Sequence, residues 1–371
     1  MAKKINWKSI IGWGIAVLVI VGVIGTNMYQ HREVKGDKPV VKIGAVLPLS
    51  GTMAFYGNTF KNMYLLRMKE IPANSKYDYK LIIEDDEMQT AKSMTAAQKL
   101  FNLDDIDLLL GGCSGAEPSV ADIARDRKKV MFSLLWDEET PLKNKYSFNA
   151  LLLPDQYINL LLEELQKRDL RKIAIVMENH KGWLTSVKNF KEKAPQYGLE
   201  VVEEQYVVPN ERDFRTLLYK IETKKNPDAY LVFMFPASLE AFGRTLKEQE
   251  IKKPVTSLNS FDFVENKNLF NGVWYASDNL ANAELEEKYK ETYGKELLLT
   301  QSLWGYAALD AVINAYEKYD TKPTAEQIIQ ELYKKRISPA VGEVQYKGNG
   351  ILRGNGMLRI IQDGKSQKLE K

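Results

Sequence analysis

Residues 42–57 read KIGAVLPLSGTMAFYG, and this stretch decides the fold. Residues 42–48 form a short apolar run closed by Pro48, the mark of a buried strand. Leu49, Ser50, Gly51 and Thr52 make a small polar turn. A helix is predicted over 57–70, where Phe60, Met63, Tyr64 and Met68 recur at helical spacing. A strand that opens through a Ser-Gly loop into a helix N-terminus offers backbone N–H groups and the helix dipole to an anionic group. The same shape also serves as a plain βα connection.

Outward from this unit, strands and helices alternate, which argues for parallel sheets flanked by helices. Strands are predicted at 80–84, 107–110 and 130–135, with helices at 90–102 and 118–127. After Leu153-Pro154 the pattern restarts with helices at 156–168, 183–197, 213–224 and 239–250. Strands at 172–177, 200–207, 229–235 and 254–258 lie between them. A return begins at 272–277, followed by helices at 284–293 and 303–318. Residues 342–346 and 357–362 are expected to pair as a hairpin across a Gly-Asn-rich loop. A chain of 371 residues suits two lobes of ordinary domain size.

Composition narrows the function classes. The net charge of +3 comes with interspersed acids and bases and no basic stripe, so nothing points to nucleic acid. The single cysteine, Cys113, forbids an internal disulfide, and with only His31 and His180 present a histidine metal site or catalytic triad is not expected. There is no GxSxG elbow and no phosphate loop ending in Gly-Lys-Ser/Thr. The acidic run Glu84-Asp85-Asp86-Glu87 matches no calcium-loop spacing and is expected to be solvated. No enzyme and no cofactor are expected.

The N-terminus sets the location. Residues 9–30 are uncharged and mostly apolar, near the roughly 20 residues that span a bilayer. Lys3, Lys4 and Lys8 in the basic start, 1–8, place that end in the cytoplasm by the positive-inside rule. The segment is expected to be an uncleaved membrane anchor, with a cleaved signal peptide as the rival reading. Residues 31–39 then form a tether, and the body works outside the cytoplasmic membrane.

In order along the chain, KIGAVLPLSGTMAFYG, LLLGGCSGAEPSVADIA (108–124), KVMFSLLWDEETPL, SFNALLLPDQ, KIAIVMENHKGW, SLWGYAALDAVINAY and AVGEVQYKGNGILRGNGMLRIIQDGK follow one series. Taken together, residues 40–365 resemble the solute-binding proteins of branched-chain amino acid ABC transporters, within the type I periplasmic binding proteins. The resemblance implies an α/β fold of two lobes, each a mainly parallel sheet with helices on both faces, joined by three crossovers. These would fall near Leu153-Pro154, Asp278 and Ser338-Pro339, giving lobe 1 as 40–152 plus 281–337 and lobe 2 as 154–277 plus 338–371. It further implies a monomer that captures a small amphipathic ligand, an amino acid or a related amide or amine, between its lobes and delivers it to an ABC permease. A membrane-anchored receptor of the same fold, which senses a ligand or regulates a partner protein, is the alternative, and a clamp whose cleft is filled by Trp136 is a third reading.

The resemblance also carries over candidate residues. Ser50 and Tyr56 match the first binding loop, and Ser114, Gly115 and Ala116 the second, where Pro118 at the helix start suits a carboxylate held by N–H groups. The third loop departs from the family: where amino-acid binders carry small residues, this chain has Leu135, Trp136 and Asp137. The bulky indole reshapes the pocket, and Asp137 either pairs with a cationic ligand group or is solvated. From lobe 2 come Trp183, Phe235 and Asp262, the last a candidate for a ligand ammonium. Cys113 is expected to be a small packing residue rather than a reactive thiol.

Overall fold

The computed structural model describes residues 38–278 and 280–370. The expected anchor at 9–30 lies outside them. Among the described residues no helix is long and apolar enough to cross a membrane.

The first lobe follows the chain as β1 Val40–Leu47, α1 Ala54–Lys69, β2 Asp78–Asp85, α2 Thr90–Asn102, β3 Leu108–Gly111, α3 Glu117–Asp126, β4 Val130–Ser133, α4 Glu139–Lys143 and β5 Ser147–Asn149. Its strands pair in the order β2-β1-β3-β4-β5, every pair parallel. Parallel strands covered by helices on both faces become continuous apolar runs, and β3 (LLLG) and β4 (VMFS) are buried throughout. Because β2 lies on one side of β1 and β3 on the other, the sheet has its switch point there, and open α/β sheets bind ligands beyond the strand ends at that point.

The second lobe repeats the plan: α5 Ile158–Lys167, β6 Lys172–Glu178, α6 Lys181–Lys193, β7 Glu200–Val207, α7 Arg215–Lys224, β8 Ala229–Phe233, α8 Pro236–Glu248 and β9 Val255–Thr256. The order β7-β6-β8-β9 is again parallel. A bridge from Leu258 to Ala276 brings in β10 Trp274–Asp278.

The chain then returns to the first lobe as α9 Ala283–Tyr293, α10 Ser302–Tyr316 and α11 Ala325–Leu332. A buried Arg67–Asp310 pair at 2.8 Å ties α10 to α1. The small sheet of β11 Arg336–Ser338, β12 Gly342–Tyr346 and β13 Leu352–Arg353 follows. Tyr346 packs on Phe132 and Phe148, and Asn149 N donates to Gly350 O at 3.0 Å, so 342–353 lies against the first lobe. The last strands, β14 Gly356–Gln362 and β15 Lys365–Lys368, extend the second lobe through antiparallel pairing with β10.

The expected hairpin is therefore corrected. The strands at 342–346 and 357–362 do not pair with each other, because β12 finds β11 and β13 while β14 finds β10 and β15. The chain changes lobes at Gly354-Asn355 rather than at Ser338-Pro339. The acidic run is also corrected at one position: Asp86 is fully buried, its Oδ1 accepting Met88 N at 3.0 Å, because the turn tucks it beneath the end of β1.

Gly57 lets α1 lie directly on the strand-closing turn, since a Cβ there would meet Pro48 O at 2.1 Å. Gly57→Ala is expected to cost about 1–3 kcal/mol through overpacking, whereas Gly348→Ala, with nothing within 4 Å, should leave stability nearly unchanged. Urea denaturation of the two variants side by side checks this.

Candidate functional site

The loops after β1, β2, β3 and β4 meet those after β6, β8 and β9 across the cleft, and their side chains fill it. Met53, Tyr56, Met88, Cys113, Leu134, Leu135 and Trp136 from lobe 1, with His180, Phe235 and Phe263 from lobe 2, line a cavity of about 20 Å³. That volume holds about one water molecule. Trp136 and Trp183 face each other with ring centroids 5.1 Å apart, Trp136 and Phe263 lie at 5.3 Å, and Tyr56 reaches Phe263 at 5.6 Å. Phe235 closes the group at 5.4 Å from Trp183. The rings interlock across both lobes.

Two polar contacts flank them. Gly182 N donates to His180 Nδ1 at 3.3 Å, which makes Nε2 the protonated nitrogen, and Nε2 donates to Cys113 O at 3.1 Å. Burial holds His180 at about 4, so the imidazole is neutral at physiological pH. At the rim, Lys181 Nζ stands 2.7 Å from Glu139 Oε2.

The second loop differs from expectation. Its N–H groups are present, but Glu117 of the same chain takes them: Ser114 N donates to Oε1 at 3.2 Å and Gly115 N to Oε2 at 2.8 Å. Gly115, with φ of +94°, gives the loop the left-handed turn that aims these groups at the glutamate. Desolvation pushes the Glu117 carboxyl up to about 7, against the three backbone hydrogen bonds that favour its charge.

The remaining candidates separate into two groups. Tyr56, Leu135, Trp136, Trp183 and Phe235 come together in or directly around the cavity. Ala116 is buried at the start of α3, and Ser114 Oγ is buried without a hydrogen-bond partner. The others point elsewhere. Ser50 is exposed and donates its hydroxyl to Asp85 Oδ2 at 2.6 Å. Asp137 is buried and accepts Thr140 N at 2.8 Å, closing the first turn of α4, so it is neither solvated nor turned to a ligand. Asp262 accepts Tyr275 Oη at 2.7 Å, the Ser277 hydroxyl and Gln301 Nε2 at 3.5 Å. Phe263, Met88, Glu117 and Asp278 were not singled out from the sequence. Asp278 accepts Trp304 Nε1 at 2.8 Å and is pushed up to about 7, chiefly by burial and then by Asp262. Among the described residues no group of acidic, histidine or cysteine side chains is arranged to hold a metal ion.

This architecture of two doubly wound lobes around a cleft defines a class of clamp-like binding proteins. A family model described as periplasmic binding protein matches residues 40–358, and the chain belongs to that family. No curated protein matches the chain in sequence. Among solved structures, a solute-binding protein of an ABC transporter from Rhodopseudomonas palustris BisB5, in complex with 3,4-dihydroxybenzoic acid, superposes with a TM-score of 0.79 at 20% identity, covering 90% of this chain and 96% of that one. A leucine-binding protein from Thermotoga maritima MSB8 gives 0.77 at 16% identity over 89% and 98%. A branched-chain amino acid substrate-binding protein from Streptococcus pneumoniae, in complex with isoleucine, gives 0.77 at 17% over 90% and 100%. These likenesses establish the two-lobed fold.

The cleft carries two testable consequences. Truncating Trp136 to Ala is expected to cost about 3–5 kcal/mol in urea denaturation; a cost below about 1 kcal/mol would mean that the two ring faces do not hold the lobes together. Titration supplies the second. Glu117, raised from an ordinary 4.5 to about 7, makes the folded chain bind more protons than the unfolded one across that window. Its contribution is present at low pH and is lost as pH rises through 7. His180, lowered from 6.5 to about 4, acts oppositely and costs stability as pH falls through that range. Glu117→Gln should therefore flatten the decline in melting temperature between pH 5 and pH 8, read by thermal unfolding.

Proposed function

We propose that this chain is an extracytoplasmic solute-binding protein that encloses one small, largely apolar solute between its lobes and delivers it to an ABC importer. The observation that carries this reading is the inter-lobe cavity walled by Tyr56, Trp136, Phe235 and Phe263. Concave sites with mostly apolar walls and a few polar groups are the usual form of small-molecule sites. Trp136 Nε1, Trp183 Nε1 and Ser114 Oγ are buried without partners, and a solute with an acceptor atom would satisfy them. With the lobes this close, the solute has to part the ring faces, which suits the hinge closure of two-lobed binders.

An α-amino acid fits this cleft poorly. The backbone N–H groups that suit its carboxylate already hold Glu117. Asp262, the candidate for its ammonium, is engaged by Tyr275, Ser277 and Gln301. The relatives in complex with isoleucine and with 3,4-dihydroxybenzoic acid share the fold at 17% and 20% identity, which leaves the solute free to differ.

Thermal unfolding of residues 40–371 against neutral aromatics, aromatic carboxylates, aliphatic amino acids and amines tests the proposal. A solute at a hundredfold excess over its Kd adds about 2.7 kcal/mol of stability. A clear upward shift with one apolar class, lost in Tyr56→Ala, is the expected outcome. A flat response to the whole panel would remove the solute-binding reading.

A further inference from the structure

The cavity between the lobes is walled without charge. Among the described residues, no Asp, Glu, Lys or Arg side chain lines it. His180 and Cys113, which do line it, are held neutral by their hydrogen bonds. His180 accepts at Nδ1 from Gly182 N and donates from Nε2 to Cys113 O, and the Cys113 thiol donates to Met88 Sδ at 3.4 Å. The charges carried by the same loops are already matched. Glu117 takes the N–H groups of Ser114 and Gly115, Asp137 takes Thr140 N, and Lys181 stands against Glu139. A charged solute of either sign would enter a low-dielectric site that holds no free partner for its charge, which is unfavourable.

What the cleft lacks is an acceptor. Trp136 is 6% exposed and Trp183 0%, and the Nε1 of each is buried without a hydrogen-bond partner. An indole N–H only donates, and a buried donor left unmade is costly. The two rings come from opposite lobes and lie 5.1 Å apart at an interplanar angle of 33°. His180, whose ring centroid lies 6.3 Å from that of Trp183, has no acceptor to spare, because its Nδ1 is taken by Gly182 N. The Ser114 hydroxyl, also buried and unpartnered, can turn to donate or to accept. A carbonyl oxygen carries two lone pairs in the plane of its substituents. One such atom can therefore take one N–H from each lobe while a flat apolar frame lies against the ring faces.

We propose that the solute is a flat, uncharged carbonyl compound, such as an aryl ketone, ester or amide, whose oxygen accepts from Trp136 Nε1 and Trp183 Nε1. This rests on the solute-binding reading and names the solute class for the same cleft. Because the two donors belong to different lobes, the one oxygen also draws the parted lobes back together.

Isothermal titration of the purified full chain with four probes of nearly one shape separates charge from hydrogen bonding. Acetophenone is a neutral acceptor, α-methylstyrene replaces its carbonyl oxygen by a methylene, benzoate is an anion and benzamidine a cation. Acetophenone is expected to bind at least about tenfold tighter than each of the other three. In nitrogen–proton NMR spectra of the unaltered chain, two indole N–H resonances should move downfield with acetophenone and stay in place with α-methylstyrene. Trp136→Phe and Trp183→Phe, which keep an aromatic ring and remove the N–H, should each delete one of those resonances and narrow the affinity ratio of acetophenone to α-methylstyrene. The spectra of the unaltered chain decide the hydrogen bonds even where a variant fails to fold. Equal or tighter binding of α-methylstyrene, or unmoved indole resonances, overturns the acceptor assignment. Tighter binding of benzoate or benzamidine overturns the uncharged one, and each of these results leaves the solute-binding reading in place. Failure of all four probes overturns the proposal, and only failure of the wider thermal panel as well removes the solute-binding reading itself.

Discussion

Trp136 and Trp183 stand 5.1 Å apart with one ring from each lobe, and the arrangement of the cleft depends on that contact. Two sheets with their switch points facing one another only bring loops near each other; what fixes the separation is the bulk those loops carry. Here the bulk is aromatic, and Phe263 and Phe235 continue it on the second lobe. Each aromatic pair contributes about 0.5–1.5 kcal/mol beyond its buried area. The partly exposed Lys181–Glu139 pair at the rim contributes about 0–1 kcal/mol. The rings outweigh the rim, and the His180 to Cys113 hydrogen bond sets direction more than strength.

Beside the rings, one loop has been turned to an internal use. Residues 112–117 present backbone N–H groups at the start of a helix, a ready seat for an anion, and Glu117 sits in it. The geometry is tight enough that a Cβ on Gly112 would stand 2.5 Å from Glu117 Oε1. A carboxylate supplied by the chain is permanent, but its burial costs enough to bring its proton affinity near neutrality. Asp262 shows the same economy of partners: a charge that sequence position makes available is satisfied by Tyr275 and Ser277 from the neighbouring strand.

The alternation of strands and helices was legible because parallel strands buried on both faces leave continuous apolar runs, as in LLLG and VMFS. The terminal strands were misjudged because proximity in sequence suggested a hairpin while β10, some 80 residues earlier, offered β14 an open edge. Helix α11 was passed over although Thr324 and Gln327 spell its capping box. In the cleft, the aromatic candidates Tyr56, Trp136, Trp183 and Phe235 were legible through the binding loops that the family resemblance marks. The fate of the polar candidates was not, because it depends on partners such as Asp85 for Ser50, 35 residues away. Nothing local in Glu117 announces that it folds back onto the two N–H groups just before it. That loop closes only once Gly112 and Gly115 adopt positive φ.

The near absence of free volume between the lobes has a kinetic and thermodynamic consequence. A cavity of about 20 Å³ admits no solute while the rings touch, so only molecules with parted lobes are competent to bind. The apparent Kd then equals the intrinsic one divided by the fraction of molecules that stand open. Packing that holds the lobes together therefore sets a threshold on solute concentration, and loosening a contact between the lobes outside the cavity wall, such as the Lys181–Glu139 pair, lowers that threshold without touching a single solute-binding atom. In such a clamp, the strength of the protein's grip on itself determines how scarce a solute it can collect.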